Sequence, residues 1–375
     1  MSDSSYTLIP KISVLMSVYN GSIYLKESVE SVLNQTFTDF EFIIIDDYST
    51  DNSWEILAKY ARQDRRIKLI KNQKNLGLTK SLNLGLKEAK GEYIARQDAD
   101  DISLPTRFEK QIACFNRHPE AVLVSCDLEL IDSQGDPIGK FQRACAPDLV
   151  NWYLLFYNHL AGHSQVTFRR KTAIDLGGYC ETRRYSQDYE FWCRLIKVGE
   201  IVILPEVLVR QRRHDESISS QKTEEQKAYS LGQVRDNLKQ LTGEEFSIQQ
   251  VEDLRGFWLG RWWGHFFPDG SKAEILHETL DKIAKAFAEQ NSDANYAKIS
   301  HHLEKLIKKQ FLYWVGASLN RKESWLSRLT ISRYAFRWQP LGVIASWLKW
   351  LSSLPSKVQK ELINLSQKKI SKTSY

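Results

Sequence analysis

Residues 11 to 98 alternate between short apolar segments and amphipathic segments, and this pattern constrains the fold more than any other feature. Each apolar run of strand length is followed by residues whose apolar side chains recur at helical spacing. Strands that alternate with helices predict a parallel, doubly wound α/β sheet. The predicted strands are 11–20, 40–45, 67–71 and 92–98, and the predicted helices are 23–35, 52–61 and 79–89.

The alternation continues less regularly to about residue 220 and then stops. Pro105 suits the first turn of a helix that runs to Asn116. Further strands are predicted at 121–131, 164–170 and 201–210, whereas only helices are predicted afterwards, at 273–288, 296–315 and 340–351. We therefore predict an α/β domain over residues 1–220 and an α-helical C-terminal domain over residues 221–375.

Three polar clusters follow three of the predicted strands. They are Ser17 to Asn20, Asp46 to Ser49 and Asp98 to Asp101. In an open parallel sheet, ligands bind beyond the carboxyl ends of the strands. The three clusters are therefore expected to share one edge of the sheet and to form a ligand site there.

The cluster Asp98-Ala-Asp-Asp101 has the pattern of a cation site. Side chains two residues apart in an extended chain point to the same side, so Asp98 and Asp100 can converge while Asp101 faces away. Two carboxylates held together favour a hard divalent cation such as Mg²⁺ or Mn²⁺. The alternative is an acidic loop that caps the next helix, and the shared edge favours the cation site.

Asp188 lies at the start of a predicted helix whose apolar face includes Phe191, Trp192 and Leu195. A carboxylate in the first turn is favoured by the helix dipole. From its position alone, Asp188 is either a structural cap or a catalytic carboxylate.

Composition limits the class of protein. The chain has 375 residues, of which 42% are hydrophobic and 26% charged, as expected for a soluble globular protein of about two domains. The five cysteines form no C-x-x-C pair, which predicts reduced thiols in the cytosol. We expect neither a signal peptide nor a membrane-spanning helix, because no apolar run approaches about 18 residues.

Basic residues are concentrated at the C-terminus, where residues 321–375 contain eleven Lys or Arg and two Glu. Within this region Ile344, Trp347, Leu348 and Leu351 recur at helical spacing. Such a helix can lie in a membrane interface, with its cations on anionic headgroups, and residues 334–372 are the predicted contact. The alternative is that the helix packs on its own domain. No nucleic-acid partner is expected.

Taken together, these segments resemble the family 2 glycosyltransferases, nucleotide-sugar enzymes with the GT-A fold. The resemblance covers residues 11 to about 219 and is specific because the motifs occur in order and at the expected spacing. The motifs are Ile12-Ser-Val-Leu-Met-Ser-Val-Tyr-Asn20, Ser31-Val-Leu-Asn-Gln-Thr-Phe37, Ile45-Asp-Asp-Tyr-Ser-Thr-Asp51, Asn75-Leu-Gly77, Asp98-Ala-Asp-Asp101, Gly177-Gly-Tyr179 and Gln187-Asp-Tyr-Glu-Phe-Trp192.

The resemblance implies a nucleotide site at the first strands. Ser17 and Tyr19 match positions that pack against the base and the ribose. Asp47 matches the acid that hydrogen-bonds the base, typically uracil, and Lys80 is implied as a partner of the diphosphate.

The resemblance also implies a metal site and a catalytic base. Asp100 is the implied main ligand of Mg²⁺ or Mn²⁺, Asp98 the implied partner of the ribose or metal, and His214 lies where relatives place a histidine near the diphosphate or metal. Asp188 matches the general base. The chain departs from the family at Gln187, where relatives usually have Glu, which bears on the pKa of the base or on a hydrogen bond to the acceptor.

The implied reaction is a single in-line displacement that inverts the anomeric configuration. A nucleotide-sugar donor, expected to be a UDP-sugar, would react with a hydroxyl of a glycan or lipid-linked acceptor. The reaction would serve cell-surface polysaccharide or lipopolysaccharide synthesis, in the cytoplasm or at the inner face of the plasma membrane. A sugar-1-phosphate nucleotidyltransferase would instead need a Gly-rich, Arg-containing loop at Tyr19-Asn-Gly-Ser22. A non-catalytic binding module would be expected to lose the Asp-x-Asp or the base, and both are present.

Overall fold

The computed structural model describes residues 9–160, 162–215, 223–259, 272–290, 293–320, 325–337, 339–355 and 359. These residues form two compact units, one up to Val234 and one from Arg235. The predicted boundary at residue 220 falls in 216–222, outside the described residues, so the domain limits 1–220 and 221–375 stay a prediction.

The first unit is a nine-stranded sheet flanked by helices. Its strands are β1 (Ile12–Val18), β2 (Phe40–Asp46), β3 (Ile67–Lys71), β4 (Tyr93–Arg96), β5 (Ile102–Ser103), β6 (Ala121–Ile131), β7 (Pro137–Phe141), β8 (Thr167–Arg169) and β9 (Glu200–Arg212). Its helices are α1 (Leu25–Leu33), α2 (Ser53–Gln63), α3 (Leu78–Glu88), α4 (Arg107–Arg117), α5 (Pro147–Leu154), α6 (Arg170–Asp175) and α7 (Gln187–Leu195).

The sheet is mixed, with the strand order β3-β2-β1-β4-β8-β6-β9-β5 and with β7 paired to β6. The four strands β3, β2, β1 and β4 are parallel, as are β6 and β9. The strand β8 runs antiparallel to both of its neighbours, β4 and β6. The predicted α/β fold class is confirmed, and the reversed β8 joins its two parallel parts.

The core of the first unit explains why these strands form. Val14 and Met16 of β1 and Phe42 and Ile44 of β2 are fully buried, as expected for strands covered on both faces. Close packing reaches the backbone at Gly91, where a Cβ atom would lie 2.5 Å from the amide nitrogen of Ser13 in β1. Only glycine fits that approach, so the chain enters β4 in a fixed register beside β1.

The second unit is helical. Its helices are the end of α8 (Thr223–Thr242), α9 (Ile248–Leu259), α10 (Ala273–Glu289), α11 (Asp293–Asn320), α12 (Trp325–Phe336) and α13 (Pro340–Ser353). A capping box begins α9: the Ser247 amide donates to Gln250 Oε1 (2.9 Å) and the Gln250 amide to Ser247 Oγ (3.2 Å). Among the described helices, none combines the length and the apolar composition needed to cross a bilayer.

Candidate active site

The turns after β1 and β2 are joined by hydrogen bonds at one edge of the sheet. Asn20 Oδ1 accepts a bond from the Thr50 amide (2.8 Å), and the Asn20 amide donates to Ser49 Oγ (3.1 Å). Because β1 and β2 are parallel, their carboxyl ends meet here. Ser17 is half-buried at the end of β1, and Tyr19 is 54% exposed just beyond it. Both predicted nucleotide residues therefore lie at this edge.

Asp47 is 2% exposed and organises the loop that leads into α3. Its Oδ1 accepts bonds from Asn72 Nδ2 (2.7 Å) and the Leu76 amide (2.8 Å), and its Oδ2 accepts one from the Gly77 amide (2.8 Å). A carboxylate has about four acceptor sites. Three are used, so one acceptor site, on Oδ2, remains for a donor such as the N–H group of a base.

Lys80 lies in the first turn of α3, directly after the loop that Asp47 holds, and its side chain is exposed. Its position is compatible with the predicted role at a diphosphate. Lys80 therefore lies at the start of α3, and among the described residues its side chain makes no contact with Ser17, Tyr19, Asp47 or Asp98.

Asp98 follows the end of β4 and bonds a buried arginine. Its Oδ1 accepts a bond from Arg96 Nη2, and Arg96 is 0% exposed while the Asp98 side chain is 30% exposed. Arg96 also donates to the Gln97 carbonyl (2.9 Å) and to His163 Nε2 (3.2 Å). Burial raises the pKa of Asp98 and the Asp100 charge adds to this, while Arg96 lowers it. The sequence predicts a divalent cation as the positive partner of Asp98, and in the structure the guanidinium of Arg96 is such a partner.

Asp100 is the more open carboxylate of the pair. Its Oδ2 lies 2.9 Å from His214 Nε2, and the two side chains are 29% and 13% exposed. His214 follows β9, and its ring lies 5.0 Å from the ring of Tyr24 at the start of α1. The structure therefore brings together Asp100 and His214, two of the three residues that the resemblance placed at the metal, although they are far apart in the sequence.

Asp101 is a structural member of the acidic run. It is 2% exposed, and its carboxylate accepts bonds from the Ser164 hydroxyl (2.6 Å) and the Arg212 amide (3.0 Å). Burial raises the pKa of Asp101 well above its usual range, and the charges of Asp100 and Asp98 add to this. Ser164 also accepts a bond from the Asp98 amide, and Arg212 donates to the Asp100 carbonyl, so the prediction that Asp101 faces away from the pair stays a prediction.

Asp188 lies in the first turn of α7 and is half-buried. Its Oδ2 accepts a bond from Asn158 Nδ2 (2.8 Å). Burial raises the pKa of Asp188, the charge of Asp98 raises it further, and the bonds from the Tyr189 amide and Asn158 lower it. The carboxylate therefore bonds the first turn of its helix and also interacts electrostatically with the acidic run after β4.

The acidic run after β4 fits a divalent cation that takes part of its coordination shell from a bound phosphate rather than from the protein. Within the described part of the chain, no three His, Cys, Asp or Glu side chains are arranged to hold a metal ion by themselves. Mg²⁺-type sites, however, use one or two carboxylates and complete their shell with phosphates and water. Asp100 and His214 are paired, and both side chains are partly exposed. The carboxylate of Asp100 is the kind of ligand that Mg²⁺ and Mn²⁺ prefer, and His214 adds a nitrogen donor beside it.

Three site residues were missed by the sequence reasoning: Arg96, Asn158 and His163. Arg96 stands two residues before Asp98 on a strand, so the alternation rule placed it on the side of Asp98, and that signal was available. Asn158 and His163 lie in the loop before β8, and only the antiparallel placement of β8 brings that loop to the site. No local pattern in the sequence reveals them.

Comparisons with known proteins identify the family of the chain. The model of the family described as Glycosyl transferase family 2 matches residues 13–171. An uncharacterized glycosyltransferase of Haemophilus influenzae is 32% identical over 241 residues, which cover 61% of this chain and 73% of that protein. The amylovoran biosynthesis glycosyltransferase AmsE of Erwinia amylovora is 31% identical over 224 residues, which cover 56% of this chain and 79% of AmsE.

A solved structure shares the fold. The crystal structure of S. aureus TarS 1–349 in complex with UDP-GlcNAc matches with a TM-score of 0.53 and 18% sequence identity. The match covers 90% of this chain and 92% of the TarS chain. At this identity the likeness concerns the fold alone.

Proposed function

Because this chain belongs to the family 2 glycosyltransferases, we propose that it moves a sugar from a nucleoside-diphosphate sugar to a hydroxyl group of a glycan or lipid-linked acceptor. The observation that carries this proposal is the placement of Asp188. It is a half-buried carboxylate with a raised pKa, close enough to the acidic run after β4 to interact with Asp98. The proposed general base and the proposed site of the leaving diphosphate would thereby be neighbours.

The nucleotide would lie along the edge formed by β1, β2 and the loop before α3. The exposed ring of Tyr19 and the half-buried Ser17 offer a surface for the base and ribose. Asp47 retains one acceptor site on Oδ2, which suits the single N–H group of uracil or thymine. We therefore propose a UDP-sugar as the first donor to test.

Departure of the diphosphate builds negative charge beside Asp98 and Asp100. Mg²⁺ or Mn²⁺, held by Asp100 and His214 together with the diphosphate, would offset that charge as a Lewis acid. Asp98 is already compensated by Arg96 and is better placed to bond the ribose. Lys80, in the first turn of α3, supplies a mobile positive charge for the diphosphate.

Asp188 would take the proton of the acceptor hydroxyl as that oxygen attacks the anomeric carbon. One displacement on the face opposite the leaving group inverts the configuration and needs no enzyme nucleophile. The raised pKa of Asp188 suits this work, because a base whose pKa lies nearer to neutral pH binds the proton more readily.

Replacement of Asp188 tests the proposal. Asp188→Asn should lower kcat by about 10²- to 10⁴-fold while UDP still binds. The measurement is release of nucleoside diphosphate from UDP-glucose, UDP-N-acetylglucosamine and GDP-mannose with Mn²⁺, and UDP binding by calorimetry. The matched control is Asp175→Asn, an exposed residue of α6, which should turn over normally. Normal turnover of Asp188→Asn, or full activity in excess chelator, would refute the base or the metal respectively.

The place of the reaction is proposed from the relatives and from the second unit. AmsE is named for biosynthesis of the polysaccharide amylovoran. We propose that this chain likewise builds a cell-surface polysaccharide or lipopolysaccharide, in the cytoplasm at the inner face of the plasma membrane. Its acceptor would then be carried by the membrane.

The helices α12 and α13 provide a surface for that contact. Leu341, Ile344 and Leu348 are exposed on one face of α13, and Leu329 and Phe336 are exposed on α12. An apolar groove of about 490 Å³ lies between the two helices, and Arg333 is among its lining residues. Exposed apolar side chains beside basic ones fit the interface of an anionic bilayer. Residues 338, 356–358 and 360–372 of the predicted contact lie outside the described residues.

A charge placed on this face tests the membrane contact. Leu348 is 60% exposed, and Leu348→Glu should weaken co-sedimentation with phosphatidylglycerol vesicles by about tenfold or more, because transfer of a leucine side chain contributes about 1.5–3 kcal/mol. Ile275→Glu, at a 63% exposed position of α10, is the control and should sediment like the wild type. Equal sedimentation of all three proteins would remove this surface from the proposal.

A further inference from the structure

Asn158 lies in the loop between α5 and β8, and its side-chain amide has no role in the reaction proposed above. Asn158 Nδ2 donates to Asp188 Oδ2 (2.8 Å), and Asn158 Oδ1 is buried without a hydrogen-bond partner among the described residues. We propose that Asn158 is a positioning residue that holds the general base ionised and leaves Oδ1 of Asp188 to take the proton, an inference that rests on the proposed role of Asp188 as the base.

The buried oxygen of Asn158, which lacks a partner, indicates that the bond to Asp188 sets the orientation of the side-chain amide. A half-turn of the terminal torsion would exchange the nitrogen and the oxygen and would bring Asn158 Oδ1 against the carboxylate of Asp188. Two acceptors repel each other there, so the amide keeps its N–H group towards Asp188 and leaves its oxygen buried. A buried acceptor without a partner is unfavourable. A bond from the amide to an ionised Asp188 would offset that cost.

The backbone at Asn158 is anchored by its neighbours. Tyr157 and His159 are both buried, and the Tyr157 hydroxyl lies 3.1 Å from His159 Nδ1. His159 Nε2 lies 3.0 Å from the Arg143 carbonyl. The position of the amide is therefore set by the loop, and Asp188 is held against a fixed donor rather than against a mobile side chain.

The charged surroundings of Asp188 make such a donor necessary. Burial disfavours the ionised form, and the charge of Asp98 disfavours it further. Tyr179 faces the same region but stays neutral, because burial raises its pKa, and its hydroxyl bonds His163 (2.8 Å). Arg96 is the nearby cation, and it bonds Asp98. Besides the backbone amides of Tyr189 and of Asp188 itself, the side chain of Asn158 favours the carboxylate form.

Asn158 can also serve the state after proton transfer. The proton arrives on Oδ1 of Asp188, so Oδ2 becomes the carbonyl oxygen of the carboxyl group and can still accept from Asn158 Nδ2. That bond is weaker, because its acceptor no longer carries a charge. Both states of the base therefore keep one hydrogen bond to the same residue, and the ionised state keeps the stronger one.

Titration of Asp188 itself tests the inference without a substrate. The full chain is labelled with ¹³Cγ-aspartate, and the Asp188 resonance is identified by its loss in Asp188→Asn. Loss of a bond to a charged group should raise the pKa of Asp188 by about one to two units in Asn158→Leu. Asn158→Asp, which keeps the size of the side chain and adds a like charge, should raise it further. If Asn158→Leu does not fold, the Asp variant carries the test.

The matched control is Tyr189→Phe. It removes the bond from the Tyr189 hydroxyl to the Leu154 carbonyl (2.7 Å), which ties the same helix to the end of α5, without removing a side-chain donor to Asp188. This variant should be less stable but should keep the wild-type pKa of Asp188. An unchanged pKa of Asp188 in both Asn158 variants, or an equal rise in Tyr189→Phe, would overturn the inference.

Kinetics separate this inference from the proposed function. In Asn158→Leu the acidic limb of kcat for donor cleavage, measured with UDP-N-acetylglucosamine and Mn²⁺ or the donor that the panel selects, should move to higher pH by the same one to two units or so. Turnover should recover at alkaline pH while KM for the donor stays the same. If Asp188→Asn is inactive but the pH profile of kcat in Asn158→Leu is not shifted, the inference about Asn158 is refuted and the proposed function is not. An active Asp188→Asn refutes the proposed function.

Discussion

The buried histidine beside Asn158 should make folding sensitive to acid. His159 is 4% exposed; its ring stacks on Tyr153 at 4.6 Å between centroids and lies 3.5 Å from Cys145 Sγ. Burial lowers the pKa of His159 from 6.5 to about 3, and the charge of Arg143 adds to this. The folded protein therefore holds His159 neutral at a pH at which the unfolded chain would protonate it.

The sign and the size follow from linkage. A group whose pKa is depressed on folding contributes stability above its unfolded pKa, and that stability is lost as pH falls towards the folded pKa. For His159 the loss begins near pH 6.5 and continues towards pH 3. Between pH 7 and pH 5 the contribution to the free energy of unfolding falls by about 2 kcal/mol, at about 1.36 kcal/mol for each unit below 6.5.

The assay is urea unfolding of the full chain at pH 7 and pH 5, followed by tryptophan fluorescence. His159→Gln should be less stable than the wild type at pH 7, because it loses the contacts with Tyr153 and Cys145. Between pH 7 and pH 5 it should lose about 2 kcal/mol less than the wild type does. His163 is also buried with a lowered pKa, but its contribution is present in both proteins and cancels.

The control is His118→Gln, since His118 is exposed after α4 and its replacement should leave the pH dependence as it is in the wild type. An identical loss of stability in wild type and His159→Gln would refute the reasoning. It would mean that the protonated ring of His159 is accommodated in the folded protein.

Two further replacements test interactions that stabilise β4 and its neighbours in the first unit. Arg96→Met should destabilise the fold by about 3–5 kcal/mol, because it leaves the carboxylate of Asp98 without its buried partner, and chemical denaturation at neutral pH measures this. Gly91→Ala should cost about 2 kcal/mol or more in the same assay, since its Cβ would meet the backbone of β1 at 2.5 Å. Stability within 0.5 kcal/mol of the wild type, roughly the range of neutral surface changes, would contradict either prediction.

The fold was predictable wherever local pattern and tertiary packing agree. The predicted strand 40–45 is β2 (Phe40–Asp46), the predicted strand 67–71 is β3, and the helix predicted at 273–288 is α10 (Ala273–Glu289). The direction of β8 was not predictable, since an apolar run reads the same in both directions. The short strands β5 and β7 were missed because two residues, or an exposed segment such as 137–141, carry no alternation to read.

The site was predictable to the extent that its residues follow strands. Position after β1, β2 and β4 identified the edge that holds Ser17, Asp47 and Asp98. The hydrogen-bond partners of each carboxylate were not predictable, because they lie far away in the sequence. Asp47 bonds a loop that begins 25 residues later, and Asp188 bonds Asn158, 30 residues earlier.

The partners of the acidic run also decide which carboxylate is left for a cation. Asp98 is compensated by the buried guanidinium of Arg96, and Asp101 accepts bonds from a hydroxyl and a backbone amide. The Asp100 carboxylate lies 2.9 Å from His214 Nε2, and an imidazole nitrogen is a common metal ligand. We therefore propose that an external cation would be centred on Asp100. Of the two aspartates in the Asp-x-Asp pattern, the second is the one expected to bind the metal, and the first is expected to position the nucleotide.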